Sequence, residues 1–494
     1  MEKPHLEKGL YPFWSEELID TECSDLRPGV NRPERRERVM VFDRPWEGDG
    51  TNFFTIVKDD GFYRLYYEAW AFWWYKSPYE NGINHKDGIN VCYAESRDGI
   101  HWERPDLGLC EFHGSKHNNI IMLRIPDNFT VMKDKNPDCP PERRYKAVMY
   151  STDITGCIST FPETDGPSLI CLTSADGIRF ERYCVISRGF SYDSQNTLHW
   201  NSRDGKYYCF FRGFHAKNNQ DPDLDEEDVR DIMVSESEDL LHWSDPVRLD
   251  FGDREDVPLY TNCISAYPYD NRYYIGFPTR YVQRNKWTAN YDRLCGADRR
   301  RIRCEKSPRL GLALTDCVFM SSRDNCRWSR FDEACLTPGP ETVSNWVYGD
   351  CYPAVGAPLE TPSPFSGEPS ELSIYVGNHH AMPESAELIR CAFRRDGFAS
   401  VKAAYTPGIL RTRPFSFEGD RLKLNFRTSA RGGIVLSVLD EGGDPVEGYT
   451  TCELFGDSTD RTVDFDKSLH ELIGKTVCFE FRMRDAELYA FRLQ

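Results

Sequence analysis

Ser96-Arg97-Asp98-Gly99-Ile100-His101-Trp102 is one of four passages in this chain built to the same pattern. Ser174-Ala175-Asp176-Gly177-Ile178-Arg179-Phe180 repeats it, as do Ser237-Glu238-Asp239-Leu240-Leu241-His242-Trp243 and Ser322-Arg323-Asp324-Asn325-Cys326-Arg327-Trp328. The pattern is Ser-x-Asp, three residues, then an aromatic. Each copy follows a short apolar run: Ile89 to Ala94, Leu169 to Thr173, Ile232 to Val234 and Cys317 to Met320. Asp and its neighbour supply turn conformations, and the aromatic packs back across the hairpin. Hairpins recurring at about the length of one four-stranded sheet are the mark of a propeller. The four turns themselves read as structural, so function is sought where the inner strands of such a ring meet.

Composition narrows the classes. The chain has 494 residues, enough for a large repeat domain and a small second one. Aromatic residues make up 13%, a load that suits β structure and carbohydrate surfaces. A formal net charge of -18 without a lysine-rich run disfavours nucleic acid and anionic membranes as partners. No apolar run reaches the roughly 18–20 residues of a membrane helix. Met1-Glu2-Lys3-Pro4-His5 lacks an apolar signal core, which points to the cytoplasm. The 18 cysteines are scattered singly and read as reduced core residues, with neither a disulfide framework nor a zinc site. No cofactor or metal is expected.

The expected fold is all-β: a five-bladed β-propeller over residues 1–405, followed by a small β-sandwich over 406–494. Residues 1 to about 40 would wrap the first sheet or close the ring. Blade one uses Phe53 to Val57, Tyr63 to Tyr67 and Ile89 to Ala94. Blade two starts near Asn118 to Met122, with Asp127-Asn128 ahead of Phe129 to Met132. Blade three opens at Asp193-Ser194-Gln195-Asn196, blade four at Tyr260-Thr261-Asn262, and blade five at Trp346-Val347-Tyr348-Gly349-Asp350. The Asp221–Asp228 run reads as a solvated acidic loop, and residues 283–309, rich in arginine, as a surface insertion. Long helices are not evident. Beyond Leu410, the alternating runs Leu422 to Phe426, Gly433 to Val438 and Val477 to Phe481 have the spacing of a sandwich.

In this reading a carboxylate or amide stands just ahead of each inner strand: Glu47 or Asp49, then Asp127, Asp193, Asn262 and Asp350. Equivalent positions in a propeller converge on one pocket. Carboxylates there, fringed by Trp46, Tyr260, Trp346 and Tyr348, suit glycoside cleavage, in which one acid protonates the leaving oxygen and a second carboxylate attacks or activates water. Crowding raises the pKa of one of them. Glu47 and Asp49 compete for the blade-one nucleophile or base, against a plain turn-capping role. Asp193 would orient sugar or tune the acid, against an Asx-turn. Asp350 and Glu341 compete for the acid, with Glu255 a third candidate. Arg212, His215 and His379, in the pair His379-His380, would bind hydroxyls.

The blade order, the approach Asp43-Arg44-Pro45-Trp46-Glu47-Gly48, the Asp193-Ser194-Gln195-Asn196 opening and the terminal sandwich resemble the five-bladed propeller glycosidases of glycoside hydrolase families 32 and 43, the invertase, levansucrase and arabinanase group. The resemblance implies a blade-one Asp as nucleophile or base, a second Asp steadying the pocket, and a later Glu as acid. The Asn-Asp-Pro-Asn, Arg-Asp-Pro and Glu-Cys motifs of the invertases are absent here. The expected activity is that of a glycosidase, exo-acting on a terminal sugar by a two-carboxylate mechanism, with carbohydrate as its partner. A homo-oligomer, in which the sandwich completes a second copy's pocket, is compatible with this. A sialidase-like or phosphorolytic variant needs clustered arginines, which the sequence does not place at inner strand ends. A non-catalytic binding platform is the other class.

Overall fold

The structure, a computed structural model, describes residues 3–72, 87–151, 167–216, 228–284 and 286–494. The Asp221–Asp228 reading falls almost wholly outside them. The described chain forms two compact units. One holds Glu34–Pro364 and Glu371–Ala392, and the other Met1–Pro33, Phe365–Ser370 and Phe393–Gln494. A single cut near residue 405 therefore does not describe the division. The chain's first 33 residues join the unit of the C-terminal strands.

The larger unit is a ring of five sheets. Blade one pairs Asn52–Asp59, Phe62–Ala69, Ile89–Ser96 and Trp102–Glu103 in sequence order. Blade two runs Asp127–Lys133, Tyr145–Ser151, Ser168–Ser174, Glu181–Arg188, and blade three Thr197–Asn201, Lys206–Ala216, Asp228–Ser237, Val247–Arg248. In blade four Ser265–Ala266 is innermost. The second strand is split into Tyr274–Gly276 and Thr279–Gln283, and Ala313–Ser322 and Ser329–Leu336 lie outside it. In blade five the inner strand is split into Tyr352–Pro353 and Leu359–Thr361, followed by Glu371–Asn378 and Glu387–Phe393. Its outermost strand is the N-terminal Glu34–Val41, antiparallel to Glu387–Phe393. Ile120–Ile125, expected to open blade two, instead pairs with Ile89–Ser96 of blade one.

Four repeated turns and five blades are now consistent. Each turn joins the third and fourth strands of blades one to four, and blade five takes its fourth strand from the other end of the chain. In every copy the serine Oγ accepts an N–H three residues on, at 2.9–3.0 Å, from Gly99, Gly177, Leu240 or Asn325. The aspartate Oδ1 accepts the next two N–H groups, at 2.8 Å from Ile100 and His101 in the first copy. The residue after each aspartate is left-handed, at φ 75°, 74°, 68° and 66°. Glycine meets this in two copies, whereas Leu240 and Asn325 tolerate it because the side-chain oxygens hold the turn.

Ring closure has its own device. Arg390, on the strand beside Glu34–Val41, is fully buried. Its Nε and Nη2 donate to the two carboxylate oxygens of Glu37 at 2.7 and 3.0 Å. Its Nη1 donates to Glu371, Ser373 and Thr361 at 2.9–3.2 Å. Arg36 from the closing strand also pairs with Glu371. Apolar seams fill the spaces between blades, such as Phe42, Phe54, Tyr67 and Leu388 between blades five and one.

The smaller unit has one eight-stranded sheet, with a two-stranded ladder of His5–Leu6 and Ser416–Phe417. Two long strands, Leu422–Leu439 and Cys478–Leu493, pair along most of their length and are interrupted between Thr428 and Gly433. Phe479 and Phe491 lie in one strand, yet their ring centroids are 5.6 Å apart. A straight strand would separate them by about 40 Å. The sheet therefore doubles over into two layers, around Phe13, Phe415, Phe481 and Leu436.

Candidate active site

The leading ends of the inner strands share one conformation. Phe53, Asn128, Cys263 and Cys351 are left-handed, at φ 52°, 52°, 47° and 59°. Each follows a residue with a short polar side chain: Asn52, Asp127, Asn262 and Asp350. Such side chains can bond nearby backbone and so hold an unfavourable φ. The Asn52 Oδ1 accepts Phe53 N–H at 3.0 Å, and Asp127 Oδ1 accepts Asn128 N–H at 2.9 Å. Blade three approaches through Ser194-Gln195-Asn196 without a left-handed residue.

Just inside this ring, hydrogen bonds tie the inner strands of blades one, three, four and five together. Val355 N–H donates to Phe54 O at 2.9 Å and Ile56 N–H to Val355 O at 2.8 Å, joining the inner strands of blades one and five. Gln195 Nε2 reaches from blade three to the Phe54 carbonyl at 2.9 Å, and Cys263 Sγ meets Gln195 Oε1 at 3.5 Å.

Asp127 alone of the four polar residues keeps solvent access. Burial pushes its carboxyl up to about 7, against the pull of the Asn128 N–H and the Arg212 charge. Glu68 lies close by, fully buried, with Oε1 accepting Phe129 N–H at 2.7 Å. Burial, then the Asp127 charge, raises Glu68 well above the carboxylate range. Two carboxyls sharing a low-dielectric corner therefore hold protons near neutrality.

Tyr260, Tyr281, Tyr348, Tyr352 and Phe53 form one aromatic cluster. The Tyr260 and Tyr348 hydroxyls lie 2.9 Å apart. Arg212, buried, stands 4.9 Å from the Phe214 ring and 5.8 Å from Tyr260, pairs with Asp193, and donates Nε to Ser191 O at 3.3 Å. Desolvation depresses its pKa, against the opposing influence of Tyr260 and Asp127 nearby. A cleft of about 520 Å³, lined by Arg188, Phe190, Ser191 and Phe214, adjoins this arginine.

The sequence-predicted residues divide accordingly. Asp127, Arg212, Tyr260, Tyr348 and Asp193 meet around the leading ends. Glu47 does not line a pocket. It is sealed from solvent, bound by Arg104 Nε at 2.7 Å, Arg104 Nη2 at 3.1 Å, the Tyr67 hydroxyl at 2.6 Å and Arg44 N–H at 2.9 Å. Asp49 is buried too and accepts Phe72 N–H at 2.6 Å. The blade-one position equivalent to Asp127 is Asn52, whose Nδ2 donates to Gly349 O at 3.1 Å.

Asp350 is completely buried on the Val347 and His379 amides, and burial lifts it to about 7. Asn262 is a strand bridge, donating to Gln195 O at 3.1 Å and accepting Thr197 Oγ1 at 2.8 Å. Trp46 packs between blades and donates to Asn119. His379 sits 3.7 Å from Glu387, and His380, in the cluster's flank, is pushed down to about 3 by burial. His215 lies between Asp231 and Asp256, at 2.9 and 2.7 Å. Glu341 and Trp346 line a separate cleft of about 450 Å³ with Arg284, Lys286 and Tyr291. Glu255 is exposed.

The arginine-rich stretch is not a surface insertion. It forms three short helices, Ala289–Arg293, Ala297–Lys306 and Pro308–Leu312. Arg303 is fully buried and donates to the backbone carbonyls of Leu310, His380 and Tyr348 at 3.0–3.1 Å. Five donors in a fixed fork let arginine go inside when carbonyls meet it. This brings Arg309 onto Tyr281 and Tyr348, at 5.7 and 5.2 Å. Arg230, from the strand beside Arg212, lies 4.4 Å from Tyr281. Its place was recoverable from strand register, since Phe214 pairs with Arg230 and period two puts Arg212 on the same face.

No protein-family model matches the chain, and no curated protein matches it. Among solved structures it is similar to an N-acetylgalactosamine deacetylase from F. plautii in complex with blood group B trisaccharide (12% identity, TM-score 0.43, 94% of this chain and 95% of that one). It is also similar to a structure described under the GH130 family of mannoside phosphorylases, said to contain glycoside hydrolases targeting beta-1,2 mannosidic linkages in Candida mannan (13%, 0.40, 77% and 96%). An exo-beta-1,3-galactanase from Phanerochaete chrysosporium is a third (10%, 0.36, 93% and 100%). Glycoside hydrolases recur among such structures. At this level of likeness no activity is carried over from any of them.

Proposed function

We propose that the protein cleaves a glycosidic bond at the leading ends of the propeller's inner strands, with Asp127 as proton donor. The observation that carries this is the state of Asp127. The residue is half-buried at the leading end of an inner strand, burial raises its carboxyl to about 7, and the Arg212 guanidinium acts on it. A leaving alkoxide needs a proton in the transition state, and an acid with pKa near the working pH delivers it best. Tyr260 and Tyr348 offer hydroxyls and ring faces to a sugar, and Phe190 and Phe214 offer stacking surface in the adjoining cleft.

The joining of the inner strands supports exo-action. Gln195 and the joined inner strands form a floor beneath the leading ends, against which the end of a sugar chain would abut. In a hydrolytic cycle Asp193, ion-paired to Arg212 and largely exposed, is the carboxylate available to activate water. Glu68 is sealed from solvent and is itself held protonated by burial and by the Asp127 charge.

The test is a panel of oligosaccharides of defined terminal sugar, incubated with wild type and Asp127→Asn and read by mass spectrometry. The wild type releases single terminal sugars from one substrate class. Asp127→Asn, still folded, is slower by about 10²–10⁴-fold, the usual contribution of a positioned acid. Equal activity in the two proteins would remove Asp127 from the chemistry.

A further inference from the structure

Glu341 and Trp346, both singled out in the sequence, line a cleft of about 450 Å³ with Arg284, Lys286, Tyr291 and Leu314. Asp127 and Arg212 do not line it. Leu314 follows Ala313, which belongs to the aromatic cluster of Tyr260 and Tyr348. Alternation along the strand Ala313–Ser322 therefore puts the cleft on the other side of that strand.

Trp346 is the unusual member. Its backbone is left-handed, at φ 59°, a region that bulky residues avoid. Such strain persists only where the surroundings impose it, and it gathers at ligand-binding positions. Here the surroundings are explicit. Asn345 Nδ2 donates to the carbonyls of Pro338 and Pro340 at 2.8 and 2.7 Å, and Asn345 Oδ1 accepts Thr342 N–H at 2.8 Å. These bonds close the loop that carries Glu341. The Trp346 indole N–H donates to Gly339 O at 2.8 Å. Arg300, 1% exposed, donates Nη2 to Trp346 O and Nη1 to Gly311 O, the latter at 3.0 Å. The same guanidinium lies 5.3 Å from the Tyr291 ring, whose hydroxyl donates to Leu312 O at 2.7 Å. One buried cation thus ties together both aromatic residues of the cleft. The short helices of the arginine-rich stretch build a pocket wall.

The polar lining carries both signs. Glu341 is exposed, with Oε2 accepting Cys295 N–H at 3.4 Å, and Arg284 and Lys286 are exposed cations. An anionic ligand would meet the Glu341 carboxylate, and a cationic one would meet Arg284 and Lys286. A hydroxyl donates to a carboxylate and accepts from a guanidinium or ammonium, so a polyol satisfies all three. The apolar face of a sugar ring suits an indole. The volume falls within the roughly 300–1,000 Å³ of small-ligand sites.

We propose that this cleft is a second sugar-binding site. It holds one ring of a neutral oligosaccharide against Trp346, with Glu341 accepting from the ring's hydroxyls and Arg284 and Lys286 donating to them. The proposal goes beyond the reading of Asp127 and does not rest on it.

The test uses the full chain labelled with 5-fluorotryptophan and read by fluorine NMR. The Trp346 signal is the one missing from Trp346→Phe. Neutral gluco-, galacto-, manno-, xylo- and arabino-tetrasaccharides are titrated in, with tetragalacturonate as the acidic counterpart. At least one neutral series moves the Trp346 signal saturably. Glu341→Ala, at an exposed position, weakens that series about tenfold, the loss of one hydrogen bond to a charged group. Its other fluorine signals stay in place and show that it is folded. Asp127→Asn gives the same Trp346 titration as wild type, so failure of the acid assignment leaves this result standing. A Trp346 signal unmoved by every neutral tetrasaccharide, a shift with tetragalacturonate alone, or equal affinity in Glu341→Ala overturns the proposal.

Discussion

Replacing Arg390 by methionine tests how the ring is closed. The guanidinium is wholly buried, and its donors reach Glu37 twice, Glu371, Ser373 and Thr361. Methionine keeps the length and apolar stem but none of these bonds. Glu37 is half-exposed and regains water, and Glu371 keeps Arg36, so neither carboxylate is fully stranded. The two hydroxyls, Ser373 and Thr361, still bond each other at 2.8 Å. The cost therefore falls at the lower end of that for breaking a buried ion pair, about 3 kcal/mol. The unit has about 350 residues, so its unfolding entropy makes 1 kcal/mol worth about 1.4 °C, and Tm should fall by about 4 °C. Scanning calorimetry reads the shift. Glu37→Gln, which removes only a half-exposed partner, should cost about 1 kcal/mol or less. A Tm for Arg390→Met within 1 °C of wild type would show that the closing strand is held by its backbone ladder and apolar seam alone.

Other consequences are local. His199 is fused into an aromatic stack with Tyr274 and Phe210 at 4.7 and 5.3 Å, and burial pushes it down to about 3. Its folded pKa is below the unfolded value of about 6.5, so its stability contribution is complete above that pH and is lost as pH falls towards 3. His199→Phe should remove about 2 kcal/mol of the stability change between pH 8 and pH 5, measured by urea unfolding against wild type. Gly356, at φ 86°, brings blade five against blade one where a Cβ would overlap the Ile56 carbonyl oxygen. Gly356→Ala should cost on the order of 3 kcal/mol in the same assay, from strain and displacement together. Glu47→Gln breaks the buried pair with Arg104 and should cost about 3 kcal/mol while leaving the pH dependence of turnover unchanged; a displaced pH optimum would return Glu47 to the site.

Much of this was legible in the chain. The four Ser-x-Asp turns carry their own hydrogen bonds, so their spacing defines the blades without tertiary knowledge. Asp127 and Tyr260 lie at the leading ends of inner strands, as a turn residue ahead of an apolar run implies, and Arg212, read from the end of blade three's second strand, lies there with them. The blade-one carboxylate was misplaced because Glu47 and Asp49 stand five and three residues before Asn52, and only the left-handed φ at Phe53 identifies the equivalent position. Periodicity cannot show a single backbone dihedral. Arg309 was missed for another reason. A run rich in arginine reads as solvated, and its burial depends on carbonyls supplied by His380 and Tyr348, far along the chain. Closure by Glu34–Val41 likewise depends on a strand pairing across some 350 residues, which no local pattern announces.

The central claim is that Asp127 gives the proton to the leaving group, and leaving-group dependence tests it most directly. Once the panel has identified the sugar, kcat/KM would be measured for wild type and Asp127→Asn on its dinitrophenyl and its methyl glycosides. A dinitrophenolate departs without help, so the variant should keep near wild-type rates on it, lose about 10²–10⁴-fold on the methyl glycoside, and lose the wild type's alkaline limb near pH 7. Equal losses on both substrates, with the alkaline limb retained, would contradict the assignment.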